Sequence, residues 1–227
     1  MRARITLPFV AVLSMACAAG AKDVRIGAVT IVLPVPSGYC ELEQAQPSDA
    51  RMIDGLRRAL AGQNELLAIS ADCGQLNGWR AGTRPLLDDY VQVQTLISAR
   101  DATIPRAEGI KQICAPLRTE GEKLFAGVTT DVKTRMETAF KDVKVNEMRF
   151  LGVLAEDASG CYFALLQKLR TEAGTDKTQV TVGTATIVKG KLVYYYSYAP
   201  YVNADTVTAM LTRHQSNVAA LLAANGD

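Results

Sequence analysis

Gln179–Tyr201 reads QVTVGTATIVKGKLVYYYSYAPY, two runs rich in Val, Ile, Thr and Tyr on either side of Lys189-Gly190-Lys191. β-Branched and aromatic residues suit the pleated, half-buried surface of a strand. A short polar turn with a glycine free to take φ > 0 joins two such strands as a hairpin. In the second run Leu192, Tyr194, Tyr196 and Tyr198 point one way, and Val193, Tyr195 and Ser197 the other. In the first run Val180 and Val182 share a face while Ala185 and Ile187 lie on the opposite one, which predicts a bulge near Gly183. Pro200 ends the ladder. Asn203 then opens a helix, Ala204–Ala224, whose Val207, Leu211, Val218 and Leu222 recur on one face. The hairpin is therefore the expected sheet centre, with a closing helix folded back over it.

Working outward, Val24–Val35 is expected as an opening strand interrupted at Pro34 and Pro36, and Gly38–Glu43 as a short strand with Cys40 and Leu42 inward. Pro47-Ser48-Asp49 starts a helix with Ser48 as its cap, Met52, Leu56, Ala59 and Leu60 recur along it, and Gly62 ends it. Glu65–Cys73 reads as a strand with Leu67, Ile69, Ala71 and Cys73 on one face, and Gly74–Pro85 as a loop. Tyr90–Ile97 alternates Tyr90, Gln92 and Gln94 against Val91, Val93 and Thr95, so one side is expected to be wet. A helical insertion follows at about 103–141, with Ile110, Ile113, Cys114 and Leu117 as one stripe and Val128, Val132, Met136 and Phe140 as another. Pro105 suits its first turn, and Pro116 should break or bend it. Glu147–Ala155 and Cys161–Leu169 return to strands, although FALLQKLR in the second could equally be helix. A late run of strands framed by helices predicts an α+β fold. Its mainly antiparallel sheet is covered by an early helix, the central helical insertion and the C-terminal helix.

Residues 1–21 stand apart. Arg2 and Arg4 precede the apolar run Ile5–Ala19, which leads into Ala19-Gly20-Ala21, the form of a secretory signal peptide cleaved before Lys22. The run is shorter than the roughly 20 residues of a membrane span. Cys17 after Ala16 raises lipidation as an alternative, with Ser14 where such signals usually carry Leu. Residues 22–227 are expected to form a single α+β domain. Loss of Arg2 and Arg4 takes the chain's 25 basic residues to 23, matching its 23 acidic ones. A neutral, interspersed surface offers no electrostatic case for nucleic acid or anionic lipid. No later stretch is long and apolar enough to span a membrane.

Cys40, Cys73, Cys114 and Cys161 remain after cleavage, an even number with no C-x-x-C spacing. In an exported chain this reads as disulfides rather than a redox or zinc site. Four cysteines allow three pairings. Shared core faces favour Cys40–Cys73 and Cys114–Cys161, with four buried thiols as the competing reading.

Candidate chemistry is sparse. His214 is the only histidine, which excludes a multi-histidine metal site. It lies on the buried edge of the last helix, either as a general base or as a histidine bonded to a carbonyl or a hairpin tyrosine. The chain has no G-x-S-x-G, phosphate-binding or dinucleotide loop. Asp88-Asp89 and Glu156-Asp157 are adjacent carboxylates that face opposite ways on a strand. Five of the eight tyrosines fall between 194 and 201. Tyr194, Tyr196 and Tyr198 either pack beneath a helix or form a contact surface, as Trp79 and Arg80 also could.

Leu33-Pro34-Val35-Pro36-Ser37-Gly38-Tyr39, the helix after it, and the terminal hairpin with its closing helix resemble the PsbP-like group of exported proteins. The order of elements is similar over most of the mature chain, whereas the helical insertion and the four cysteines depart from that pattern. The resemblance implies an accessory or binding role outside the cytoplasm, with no shared catalytic residues. The expectation is a periplasmic or secreted, non-enzymatic protein with an unknown protein or small-molecule partner and no cofactor. The alternative is a cell-envelope hydrolase using His214 or an acidic pair.

Overall fold

The computed structural model describes residues 20–141, 143–171 and 174–227. The expected leader before Gly20, Cys17 included, lies outside them, as does the side chain of Val128. The fold is α+β, built on a seven-stranded antiparallel sheet of order β3-β4-β5-β9-β8-β7-β6. These strands are β3 (Tyr39–Glu41), β4 (Asn64–Asp72), β5 (Tyr90–Leu96), β6 (Val143–Glu156), β7 (Cys161–Thr171), β8 (Asp176–Val188) and β9 (Lys191–Pro200). A separate two-stranded ribbon is formed by β1 (Ala21–Ile26) and β2 (Val29–Pro34).

The β8–β9 hairpin sits inside the sheet, closed by Lys189 at φ 47° and Gly190 at φ 77°. Two positive φ values in a two-residue turn match the twist of the flanking strands. Pairing runs unbroken from Gln179 opposite Pro200 to Val188 opposite Lys191, so the expected bulge at Gly183 is absent. Every β8 residue from Gln179 to Val188 is buried, because both faces of the strand are covered. Apolar residues on both faces mimic a slipped alternation. Gly183 has a packing role instead: a Cβ there would sit 2.7 Å from the Phe163 ring and 2.9 Å from that of Tyr196.

The helix α4 (Ala204–Ala224) and the β1–β2 ribbon cover one face, where Ile26, Ile31, Val193, Tyr195, Val218 and Leu221 share a core. Asn203 caps α4 by accepting from the amides of Asp205 and Thr206. Val218 and Leu222 are buried as expected, but Met210 and Leu221 join them while Val207 and Leu211 are only half-buried. The other face carries α1 (Pro47–Leu60) and α3 (Arg106–Ala139), with α2 (Cys73–Arg80) at its β3–β4 end. Ile53 and Leu56 of α1 pack on Ile69, Ala71 and Tyr90. Complete burial of each large apolar side chain contributes about 1.5–3 kcal/mol.

Several local expectations change for identifiable reasons. Val24–Val35 is two strands, because Gly27 turns the chain at φ +57°. Gln46 rather than Ser48 occupies the N-cap position of α1, without a side-chain capping bond; Pro47 lies in the first turn, and the Asp49 carboxylate accepts from the Glu43 amide at 3.0 Å. Gly74–Pro85 begins as α2 because the Asp72 carboxylate accepts from the Gln75 amide. A register shift between Leu66 and Ala68 turns Leu67 into the α4-side core while Ile69 and Ala71 stay beneath α1. The wet side of β5 is in fact dry. Gln92 and Gln94 are 2% and 4% exposed; Gln94 donates to the Gln92 side-chain oxygen and accepts from Asn64. Cys161–Thr171 is strand, and α3 continues through Pro116, whose ring is exposed.

Candidate functional site

The side chains of α1 and α3 meet where Phe140, just past α3, lies on Gly55 of α1; any Cβ at position 55 would collide with that ring. Beyond this crossing the two helices leave the β7–β9 end of the sheet uncovered. A cleft of about 740 Å³ opens there, within the usual range of small-molecule sites. Leu56, Leu87 and Tyr90 give it a buried apolar floor. Met52 and Trp79 stand on one wall, Met136, Phe140 and Val143 on another, and Leu169, Pro200 and Tyr201 close the sheet side. Trp79 is half-buried, with its Nε1 turned inward and without a protein partner.

The charges divide unevenly. Asp54 and Asp88 line the cleft, and each already has basic partners. Asp54 accepts from Gln44 and pairs with Arg57 at 3.6 Å. Asp88 is held between Arg84 at 2.6 Å and Lys177 at 2.7 Å. Arg51, Arg58 and Lys141 also line the cleft, are exposed, and have no described carboxylate within ion-pair distance. The Arg58 guanidinium donates to the Ala139 carbonyl at 3.4 Å, which brings it toward Lys141 at the end of α3.

The aromatic residues singled out in the sequence separate. Trp79 lines the cleft, whereas Arg80 turns away and donates to the fully buried Asp49 through Nε at 3.0 Å and Nη2 at 2.6 Å. Tyr194, Tyr196 and Tyr198 are half-buried on the α1–α3 face. Tyr198 stacks on Tyr90 of the cleft floor with ring centroids 4.3 Å apart, and Tyr196 meets Phe163 edge-on at 6.3 Å. Burial pushes the Tyr196 and Tyr198 phenols well above their usual range, and neighbouring tyrosines add to the effect. They stay neutral. The row is an aromatic layer between sheet and helices whose Tyr198 end backs the cleft.

His214 is enclosed. Its Nε2 lies 2.6 Å from Thr184 Oγ1 and its Nδ1 2.8 Å from Ser197 Oγ, with Tyr162 and Tyr195 edge-on to the ring. Burial, with a smaller contribution from Arg213, holds its pKa down to about 3. The acidic pairs are structural. Asp89 accepts two bonds from Arg213 at 3.1 Å and one from the Tyr39 hydroxyl. Glu156 pairs with Arg118, and Asp157 accepts from the amides of Ser159 and Gly160 in the β6–β7 turn. The cysteines are bonded as Cys40–Cys73 and Cys114–Cys161, with Cα separations of 5.0 and 5.4 Å. The first joins β3 to α2, because Cys73 opens that helix rather than ending a strand. The second joins α3 to β7.

No protein-family model matches the chain, and no curated protein matches it in sequence. Among solved structures the PsbP-like resemblance recurs. The chain is similar to cyanobacterial PsbP (CyanoP) of Synechocystis sp. PCC 6803, at 12% identity and a TM-score of 0.40, over 89% of this chain and 94% of that one. It is also similar to the Saccharomyces cerevisiae Ran-binding protein Mog1p, at 9% identity and a TM-score of 0.33, over 92% and 93%. Superpositions this loose assign no role to any residue of the cleft.

Proposed function

We propose that this chain is an exported binding protein without a reaction of its own, and that the cleft between α1 and the β7–β9 end of the sheet holds a small ligand. In this reading the leader is removed after Ala21, and residues 22–227 work as one α+β domain in the periplasm or outside the cell. Arg2, Arg4 and the apolar run after them support export. So do two disulfides, which persist in oxidising compartments.

The observation that carries the binding role is the cleft itself, a 740 Å³ concavity with an apolar floor and charges confined to its lining. Against it, the groups an envelope hydrolase would need are committed elsewhere. His214 is sealed between two hydroxyls, and the paired carboxylates are held by arginine, lysine or backbone amides.

Trp79 is the only tryptophan and lines the cleft, so it reports occupancy directly. The test is titration with 8-anilinonaphthalene-1-sulfonate, read as energy transfer from Trp79. The expected result is a saturable 1:1 complex, lost when Ala50→Leu and Ala139→Phe fill the cleft from its two helical walls. Binding unaffected by both fillings, or no binding, would overturn the reading.

A further inference from the structure

We infer, on the reading that the cleft is the ligand site, that its ligand is an anionic amphiphile: a single hydrocarbon chain ending in a carboxylate or a phosphate. The chain lies along the apolar floor, and the acid sits at Arg51, Arg58 and Lys141.

The walls fit a flexible apolar body. Met52 on α1 faces the cleft from one side and Met136 on α3 from another. Unbranched thioethers adapt to a chain that lacks one fixed shape. Gln179, the uncharged amide of the lining, is itself buried and offers little to a polar ligand. A volume near 740 Å³ suits one drug-sized molecule.

The charge pattern fixes the sign of the head group. Arg51, Arg58, Lys141 and Lys177 outnumber Asp54 and Asp88 in the lining; Asp88 is held by Arg84 and Lys177, while Asp54 makes only a looser, exposed pair with Arg57 at 3.6 Å. Arg51 and Arg58 are seven residues apart on α1, so they stand two turns apart on one side of the helix. The bond from Arg58 to the Ala139 carbonyl carries that cationic edge across to Lys141. These three cations meet no described carboxylate, and the guanidinium forks suit carboxylate or phosphate oxygens. A cationic head would be repelled there, and a neutral one would gain nothing from the edge.

The test compares decanoate, decyl phosphate, decyltrimethylammonium and decyl maltoside, each below its aggregation threshold, by calorimetry and Trp79 fluorescence. Both anions are expected to bind 1:1 and at least about tenfold more tightly than the other two, a gap of about 1.4 kcal/mol. Going from octanoate to decanoate should tighten binding about fourfold per methylene, the fold-change of roughly 0.8 kcal/mol for each CH₂. Arg51→Gln, Arg58→Gln and Lys141→Gln combined should abolish the preference while decyl maltoside binds as before. Lys111→Gln, remote on α3, should change nothing. The tighter of the two anions shows which head-group chemistry the site prefers.

Equal affinity for all four heads would refute the anionic assignment and leave cleft binding intact. A preference that survives the triple variant would refute the placement of the acid. If none of the four binds while 8-anilinonaphthalene-1-sulfonate does, or if only an acidic apolar peptide binds, the single-chain ligand is refuted. Loss of the 8-anilinonaphthalene-1-sulfonate complex as well would bring down the cleft reading itself.

Discussion

Ser197 Oγ lies 2.8 Å from His214 Nδ1, and the two side chains are 1% and 0% exposed. A serine beside a histidine at that distance has the geometry of an activated nucleophile. Here the pair crosses from β9 to α4 beneath the helix, and the second imidazole nitrogen faces Thr184 of β8 rather than a carboxylate. The arrangement pins α4 to the central hairpin. It satisfies a buried ring whose unmet hydrogen bonds would otherwise destabilise the core.

Acid sensitivity should follow from this pair. Burial holds the His214 pKa near 3 in the folded chain, against the 6.5 of an exposed imidazole. Between those values the unfolded chain binds more protons, so this contribution to stability is complete above about pH 6.5 and is lost as pH falls toward 3. The slope is about 1.4 kcal/mol per pH unit at its steepest. His214→Gln should cost about 1–3 kcal/mol at pH 7. The gap between wild type and variant should close as urea unfolding is repeated from pH 7 downward and reverse by about pH 4, where the wild type has lost roughly 3 kcal/mol. A constant gap would show that His214 does not titrate this way.

The hairpin, the closing helix and the antiparallel order were legible because each is written in contiguous residues: a β-rich run, a glycine turn, and an Asn203 cap before a helical stripe. Disulfide partners were legible through shared faces, although Cys73 reached its partner from a helix. Polar residues misled wherever their partners are distant in sequence. Gln92 and Gln94 look like a wet face, yet Asn64 and the glutamines' own contact allow them to be buried. Of the cleft only Trp79 was marked in the sequence, as a candidate contact residue, and the cleft itself left no pattern. Its walls come from α1, the 79–90 segment, the end of α3 and the tips of β7, β8 and β9, and no period or motif links them.

The packing of α4 gives a graded prediction. Leu221 is 1% exposed in the core shared with the β1–β2 ribbon, whereas Leu211 is half-buried. Leu221→Ala should cost about 2–5 kcal/mol, and Leu211→Ala about half as much or less. Equal losses in chemical denaturation would mean that α4 is rotated from the orientation described.

Lys191 looks like a turn residue of little consequence, and the structure overturns that. It is 3% exposed, and its ammonium donates to the carbonyls of Arg100 and Ala102 at 3.1 and 2.8 Å. Lys191→Met keeps the length and the apolar stem but leaves both carbonyls without that donor. A loss of about 1–3 kcal/mol is expected. Lys189→Met, at an exposed position beside it, should cost less than half as much. Indistinguishable midpoints for the two variants would contradict the buried role.

Asn225, just past α4, offers the sharpest contrast between two small substitutions. Its Oδ1 accepts from the Val32 amide at 2.9 Å, while Nδ2 donates to the carbonyls of Val32 and Leu221, both at 2.8 Å. The carboxamide thereby acts as one rung of a strand along the outer edge of β2, and it ties the ribbon to the end of α4. Asn225→Ala removes all three bonds and should cost about 1–3 kcal/mol. Asn225→Asp keeps the acceptor and the shape but turns a carboxylate oxygen toward two carbonyls. That variant should be the less stable of the two near pH 7. It should recover as acid protonates the carboxyl and restores a donor, opposite in sign to the acid loss expected from His214. Amide hydrogen exchange at Val32 isolates the local effect: protection should fall in Asn225→Ala while amides in the middle of β8 keep theirs, and unchanged protection at Val32 would remove Asn225 from this role.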